Sequence, residues 1–172
     1  MILKAFKTKS NQKYVNSLLQ ARKAYVNSNK VKTIAVLLNI DEFDEFEMFR
    51  ALFKELNLTS PKHKIVAFTD DDKFEGSQWE TFFSPKDIGW KGKINNIDLK
   101  SFIDEDHDVL ISYYKADNVL LNLITASSKA NLKVGLTRTD ERLYDLIIDV
   151  NPSEFETFKI EFRKYLNILN KL

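Results

Sequence analysis

The 172-residue chain has no cysteine. That excludes a disulfide scaffold, thiolate-bound zinc, iron–sulfur clusters and thiol catalysis. It has only four glycines and three prolines, too few for a chain of many tight turns or a low-complexity linker. It holds neither GxGxxG nor GKS/GKT, so no glycine loop is available to bring backbone amides to a pyrophosphate. Histidine occurs twice, at His63 and His107. Neither has a nucleophile beside it, and no GxSxG turn exists. No apolar run reaches the roughly 18 residues of a membrane span. The start, "MILKAFKTKSNQKY", breaks its apolar residues with lysines and has no signal-peptide core. The expectation is a cytoplasmic protein, peripheral at the inner membrane if its basic start binds lipid.

What is present suits one folded domain: 44% hydrophobic and 30% charged residues, with a net charge of +1. That small net charge hides an asymmetry. Residues 1–32 carry seven lysines and Arg22 and no acidic residue, a charge of +8. The remaining 18 of the 26 basic residues stand against all 25 acidic ones, so the rest is −7. The division read from this is a basic N-terminal helical arm, 1–31, ahead of a single α/β domain, 32–172. Either the arm lies on its own acidic body, or it touches an anionic membrane surface or a protein partner. Nucleic acid is disfavoured by the acidic body and by an arm whose aromatics are only Phe6, Tyr14 and Tyr25.

Hydrophobic period gives the elements. Val15, Leu18, Leu19, Tyr25 and Val26 predict an amphipathic helix over 11–28. "VKTIAVLLNI" is a continuous β-branched run, as expected of a strand buried on both faces. Phe43, Phe46, Phe49, Leu52, Phe53 and Leu56 then keep a helical period behind an acidic first turn. The breaker "TSP" introduces a second strand, "HKIVAFTD". "WETFFS" reads as a short strand, and residues 84–102, "SPKDIGWKGKINNIDLKSF", as loop with short pieces of helix or strand. "HDVLISYY" is a third long strand, followed by a helix from Asp117 or Asn118, two strands in "LKVGL" and "YDLIIDV", and a last helix capped by Asn151. The fold class is α/β: a three-layer α/β/α sandwich with a mainly parallel sheet of five to six strands, Rossmann-like without a dinucleotide motif, preceded by the basic helix.

In such a sheet ligands bind beyond the carboxyl ends of the strands. The residues there are the candidates. After the first strand, "NIDEFDE" offers carboxylates where a nucleotide fold needs glycine, so a phosphate is repelled. After the second, Asp70 and Asp72 with Asp41 are a minor alternative as an oxygen-rich metal site; a solvated acidic loop is the preferred reading. After the third come Tyr113, Tyr114, Lys115 and Asp117, and after the fourth Arg138 and Arg142. Those six are the candidate ligand-binding set, suited to a sugar-like or phosphate-like anion; the preferred reading of Arg138 and Arg142 is surface pairing with Asp140 and Glu141, and the alternative for the tyrosines is that they close the end of the core. Gly135 marks a place of close approach. Trp79 and Trp90 read as packing residues. No catalytic residue and no cofactor is assigned.

Two resemblances accompany this reading. The basic start, "FSPKDIGWKGKI", "DVLISYY", "KANLKVGL", "RLYDLIIDV" and "YLNILNKL" resemble an uncharacterised bacterial family of small α/β proteins, which implies fold and source and no mechanism. Residues 108–136 resemble the N-terminal, acceptor-side half of heptosyltransferase-like glycosyltransferases. The chain has no second nucleotide-sugar domain, so that resemblance implies shared architecture only. The function expected is a non-enzymatic interaction module; the alternative is a small-molecule binder or enzyme at the carboxyl edge of the sheet.

Overall fold

The computed structural model describes residues 1–59 and 62–172. The expected breaker at 59–61 therefore lies partly outside the described residues. Six strands form one all-parallel sheet: β1 (Ile34–Asn39), β2 (His63–Phe68), β3 (Thr81–Phe83), β4 (Val109–Tyr113), β5 (Leu132–Gly135) and β6 (Leu146–Ile147). Their order is β3-β2-β1-β4-β5-β6. The chain moves outward from β1 to β3, then returns to the middle for β4, so the switch point lies between β1 and β4. Five helices cover the sheet: α1 (Ile2–Ala21), α2 (Phe46–Glu55), α3 (Ile97–Asp104), α4 (Val119–Ser127) and α5 (Phe155–Ile168).

The long apolar strands resolve into two inner faces. Val109, Ile111 and Tyr113 of β4, with Ile34, Val36 and Leu38 of β1, face α2 and α5. Leu110 and Tyr114, with Ala35 and Leu37, face α1, α3 and α4. Because both faces are buried, the sequence runs apolar without alternation. The α2/α5 side is an aromatic cluster in which Phe49 meets Tyr113 and Phe155 edge-on at 5.1 and 4.9 Å. Burying each such ring fully contributes about 1.5–3 kcal/mol. In α5, Phe155, Phe158, Phe162 and Leu166 make the buried stripe.

Three local expectations are corrected. The first helix spans Ile2–Ala21, not 11–28. Its start is rich in good helix formers with no proline or glycine. Its end is set by the body: Arg22 bridges to Asp145 at 2.5 Å, and the Asn131 side chain pairs with the backbone of Tyr25 and Asn27. These bonds hold the following residues extended along the amino edge of the sheet. The buried stripe of α1 is Asn11, Val15 and Leu19, a narrow one with a polar member, and Tyr25 is exposed. Of the face expected over 11–28, Val15 and Leu19 are buried as expected, while Tyr25 and Val26 lie past the end of the helix. Second, the stretch 84–102 runs into a regular helix, α3, whose N-cap Asn96 accepts from the backbone N–H groups of Asp98 and Leu99. Third, α5 begins at Phe155 behind Glu154. Asn151 instead opens a turn, donating its N–H to the Glu154 carboxylate at 2.8 Å.

The "DIGWKG" loop fastens α1 to the body. Ser84 and Asp87 form a capping box, Ile88 bridges to Ile94, and Lys91 and Gly92 both take positive φ. The loop presents its amides to the helix: Lys91 N–H donates to Ser10 Oγ at 3.2 Å, Gly92 N–H to Asn11 Oδ1 at 2.9 Å. A side chain at Gly92 would strike the ring of Tyr14, 2.2 Å away. The basic arm is a member of the helix layer that also holds α3 and α4.

Candidate functional site

The crevice at the switch point is filled by the protein itself. Glu42 follows β1, and its carboxylate accepts from the backbone N–H of Lys115 at 2.5 Å and of Ala116 at 2.9 Å, and from Asn39 Nδ2 at 3.2 Å. Two backbone amides beyond the end of a central strand are where an anionic ligand would bind. Here an internal carboxylate takes that place, and this agrees with the missing glycine in the β1–α2 turn.

The six candidate residues do not converge. Tyr113 and Tyr114 lie on opposite faces of the sheet, both fully buried. Tyr113 donates to the Pro152 carbonyl at 2.8 Å, and burial pushes its ionisation far up. Tyr114 joins a buried polar chain with Asn122, Thr125 and Ser112. Burial also raises its pKa well above the usual value for tyrosine. Lys115 and Arg138 both reach Asp149, at 2.9 and 3.8 Å, and the Lys115 hydrogen bond holds that carboxyl below its usual range. Arg142 pairs with Asp140 at 2.7 Å and lies against α1 through Asn16. Asp117 accepts from Asn122, and Asn118 is the cap of α4. The close approach at Gly135 is met internally too: the Tyr144 ring packs against it.

The carboxylates of the β1 and β2 loops do not gather a metal either. Asp72 accepts from Ser84 Oγ at 2.6 Å and from the Lys86 backbone, bonds that lower its pKa. Among the described residues no three acidic or imidazole side chains are placed to hold a metal ion. The two histidines sit at the amino edge. His107 is buried, which lowers its pKa, and its Nε2 has no hydrogen-bond partner. Near it Lys133, also buried, donates to the Thr125 and Ala126 carbonyls at the end of α4, and burial brings its pKa down to about 8.

The open space at the carboxyl edge lies elsewhere, between the first turns of α1 and the loops after β2, β3 and β4. This cavity has a volume of about 660 Å³. Its apolar wall includes Leu3, Phe68, Trp90 and Leu120; its polar wall includes Lys4, Asn11, Asp70 and Lys86. Asn11, fully buried, keeps its Nδ2 without a partner. Neither Asn11 nor Trp90 stands out in the sequence as a ligand residue. The one signal for Asn11 is its register: it falls four and eight residues before Val15 and Leu19, a polar side chain on a buried stripe.

At the mouth of the cavity the first turn of α1 is open to solvent. Met1, Ile2, Leu3 and Phe6 are all exposed, the last three at 74%, 74% and 57%. Lys4, Lys7, Lys9 and Lys13 follow, and none forms an ion pair among the described residues. No acidic residue occupies the first turn of α1.

No curated protein and no solved structure matches the chain. One family model does match, over residues 7–169, and the chain accordingly belongs to that family, DUF6913, a family of unknown function.

Proposed function

We propose that the protein is a non-enzymatic docking module that attaches to an anionic membrane surface through the free end of α1. The carrying observation is the composition of that end: Ile2, Leu3 and Phe6 are exposed on the first turns of the helix, interspersed with and followed by lysines and no acid. A helix end carries partial positive charge at its N-terminus, so the dipole adds to the lysines. Near an anionic leaflet each lysine contributes about 1 kcal/mol, and each apolar side chain fully buried about 1.5–3 kcal/mol. After the cost of ordering, that sum suits reversible attachment rather than insertion. Among the described residues no helix is long and apolar enough to cross a membrane. The reading places the protein at the cytoplasmic face of a bacterial inner membrane. The likeness to heptosyltransferases supports no transfer reaction, since residues 108–136 are β4, α4 and β5 and their tyrosines are core groups.

The test is co-sedimentation of the full chain with phosphatidylcholine vesicles, with and without phosphatidylglycerol. Deleting residues 1–28 is the wrong perturbation, because it removes Val15 and Leu19 from the core. The variant to use is Ile2→Ser/Leu3→Ser/Phe6→Ser, which changes exposed positions only. Wild type is expected to sediment with the anionic vesicles, less so in high salt, and the triple variant to bind about tenfold more weakly. Equal binding to both vesicle types, or to neither, overturns the reading.

A further inference from the structure

A second exposed apolar surface lies at the β3 edge of the sheet. Trp79, expected from the sequence to be a packing residue, is 88% exposed, and Phe74 is 42% exposed. Phe74 lies on the half-buried Phe82, with ring centroids 5.1 Å apart, and Phe82 meets Phe46 at 5.9 Å. Trp79 and Phe46 share a cleft of about 630 Å³ that Asp44, Glu45 and Glu47 also line. Asp44, Glu45 and Glu75 are exposed, and none of them forms an ion pair among the described residues. The cation in the cleft, Arg50, is committed to Glu47 and Glu80. Between residues 70 and 80 five acids stand against Lys73 alone. The surface is therefore a row of aromatic rings with an acidic rim.

An anionic leaflet or a nucleic acid is repelled by such a rim. A basic segment with an apolar tip fits it, and the start of α1 is one. Ile2, Phe6, Lys9 and Lys13 follow at spacings of four, three and four, so they form one stripe of the helix, apolar at the tip and cationic behind. All four are exposed. Within one chain the two surfaces are held apart. Val15 and Leu19 fix α1 to the face of the sheet that holds α3 and α4, whereas Phe46 and Phe82 pack on the opposite face.

We propose that the aromatic patch receives the α1 tip of a second copy of this chain. The apolar tip lies against the exposed rings, and the lysines behind it face the acidic rim. The contact joins two different surfaces, so it is heterologous. A few side chains on each side bury far less than the roughly 1,600 Å² of a standard stable interface, so the association is weak and reversible.

The full chain is tested by sedimentation velocity without lipid, from about 10 µM to about 1 mM. Wild type is expected to form larger species as concentration rises, and less so in high salt. Trp79→Ser and Ile2→Ser/Leu3→Ser/Phe6→Ser, which change exposed positions only, are each expected to associate about tenfold more weakly. Mixed together, those two variants should form a complex that neither forms alone, because one supplies an intact α1 and the other an intact patch. Asp44→Lys/Glu45→Lys should likewise lose association and regain it when mixed with Lys9→Glu/Lys13→Glu. A wild type that stays monomeric throughout overturns the proposal. So does a variant that associates like wild type, or a mixture no better than its components. The same α1 tip serves vesicle attachment, but Trp79→Ser lies outside it and should still sediment with anionic vesicles. Self-association can therefore fail while vesicle attachment stands, and the reverse.

Discussion

The Glu42 carboxylate sits 2.5 Å from the backbone nitrogen of Lys115 and 2.9 Å from that of Ala116. It joins the loop after β1 to the loop after β4, across the switch point of the sheet. The position that an α/β fold offers to a ligand is spent here on closing the two halves together. A charged acceptor for two amides is a strong bond pair, and removing it leaves both N–H groups facing a partly closed crevice.

Glu42→Ala is therefore expected to destabilise the protein by about 1–3 kcal/mol. Glu42→Gln, which keeps one acceptor oxygen, should lose less. The vacated crevice then has two amides aimed at it. Added sulfate should stabilise Glu42→Ala more than it stabilises wild type in urea melts. Equal sulfate effects on both proteins would mean that the crevice collapses and forms no anion site.

Gly135 and Tyr144 form the second relationship. A methyl group at Gly135 would lie 2.4 Å from Tyr144 Cε1, inside any real contact distance. Gly135→Ala must push the ring off β5 and away from its buried place. A cost of about 1–3 kcal/mol is expected from overpacking. Gly135→Ala/Tyr144→Leu should recover part of that loss. A double-mutant cycle with no coupling between the two positions would refute the direct clash.

These two relationships show where sequence reading reached and where it stopped. The strands were legible because burial on both faces leaves a long apolar run, as in "VKTIAVLLNI". The parallel sheet followed from their alternation with helices. The end of each strand was legible as a place, and its chemistry was not. Tyr113, Tyr114, Lys115, Arg138 and Arg142 have the residue types of a ligand site. The local pairing expected of the arginines forms, Arg142 with Asp140 and Arg138 with Glu141; the long-range pairing of Lys115 with Asp149 is not encoded in spacing. Gly135 signalled a close approach correctly, and only the fold could show that Tyr144 makes it. The helix boundaries of α1 failed for the same reason. Lysine-rich turns have no apolar period to mark them, and the end at Ala21 is set by Arg22 meeting Asp145, 123 residues away.

Lys133 makes stability depend on pH. Its pKa falls from the ordinary 10.5 to about 8, chiefly through burial and secondly through Arg22. Between those two values the unfolded chain holds a proton that the folded chain has released. Stability therefore rises with pH across that window, by about 2 kcal/mol from pH 8 to 9.5. The tyrosines act in the other direction. Burial raises Tyr113 strongly and Tyr144 to about 12, so above their ordinary 10.0 the unfolded chain deprotonates first and stability falls. Urea midpoints should pass through a maximum near pH 9–10. In Lys133→Met the rise below the maximum should vanish and the fall above it should remain.

Lys171 holds the extended segment after α1. Its side chain is 2% exposed, and its Nζ donates to the carbonyls of Asn27 at 2.8 Å and Asn29 at 3.2 Å. Its own carbonyl accepts from the Val31 N–H at 2.9 Å. One residue near the C-terminus thus fixes the passage from α1 on one face of the sheet to β1 in its centre. Lys171→Met keeps much of the apolar stem and removes the three donors. The expected loss is about 1–3 kcal/mol, because a buried charged donor with two acceptors is removed. Hydrogen exchange locates the effect: the amides of residues 27–31 should lose protection by more than those of β4, whose stability reports global unfolding. Equal loss in both places would mean that the segment opens only when the whole domain does. Loss in neither would mean that the Asn131 contacts with Tyr25 and Asn27 hold the segment without Lys171.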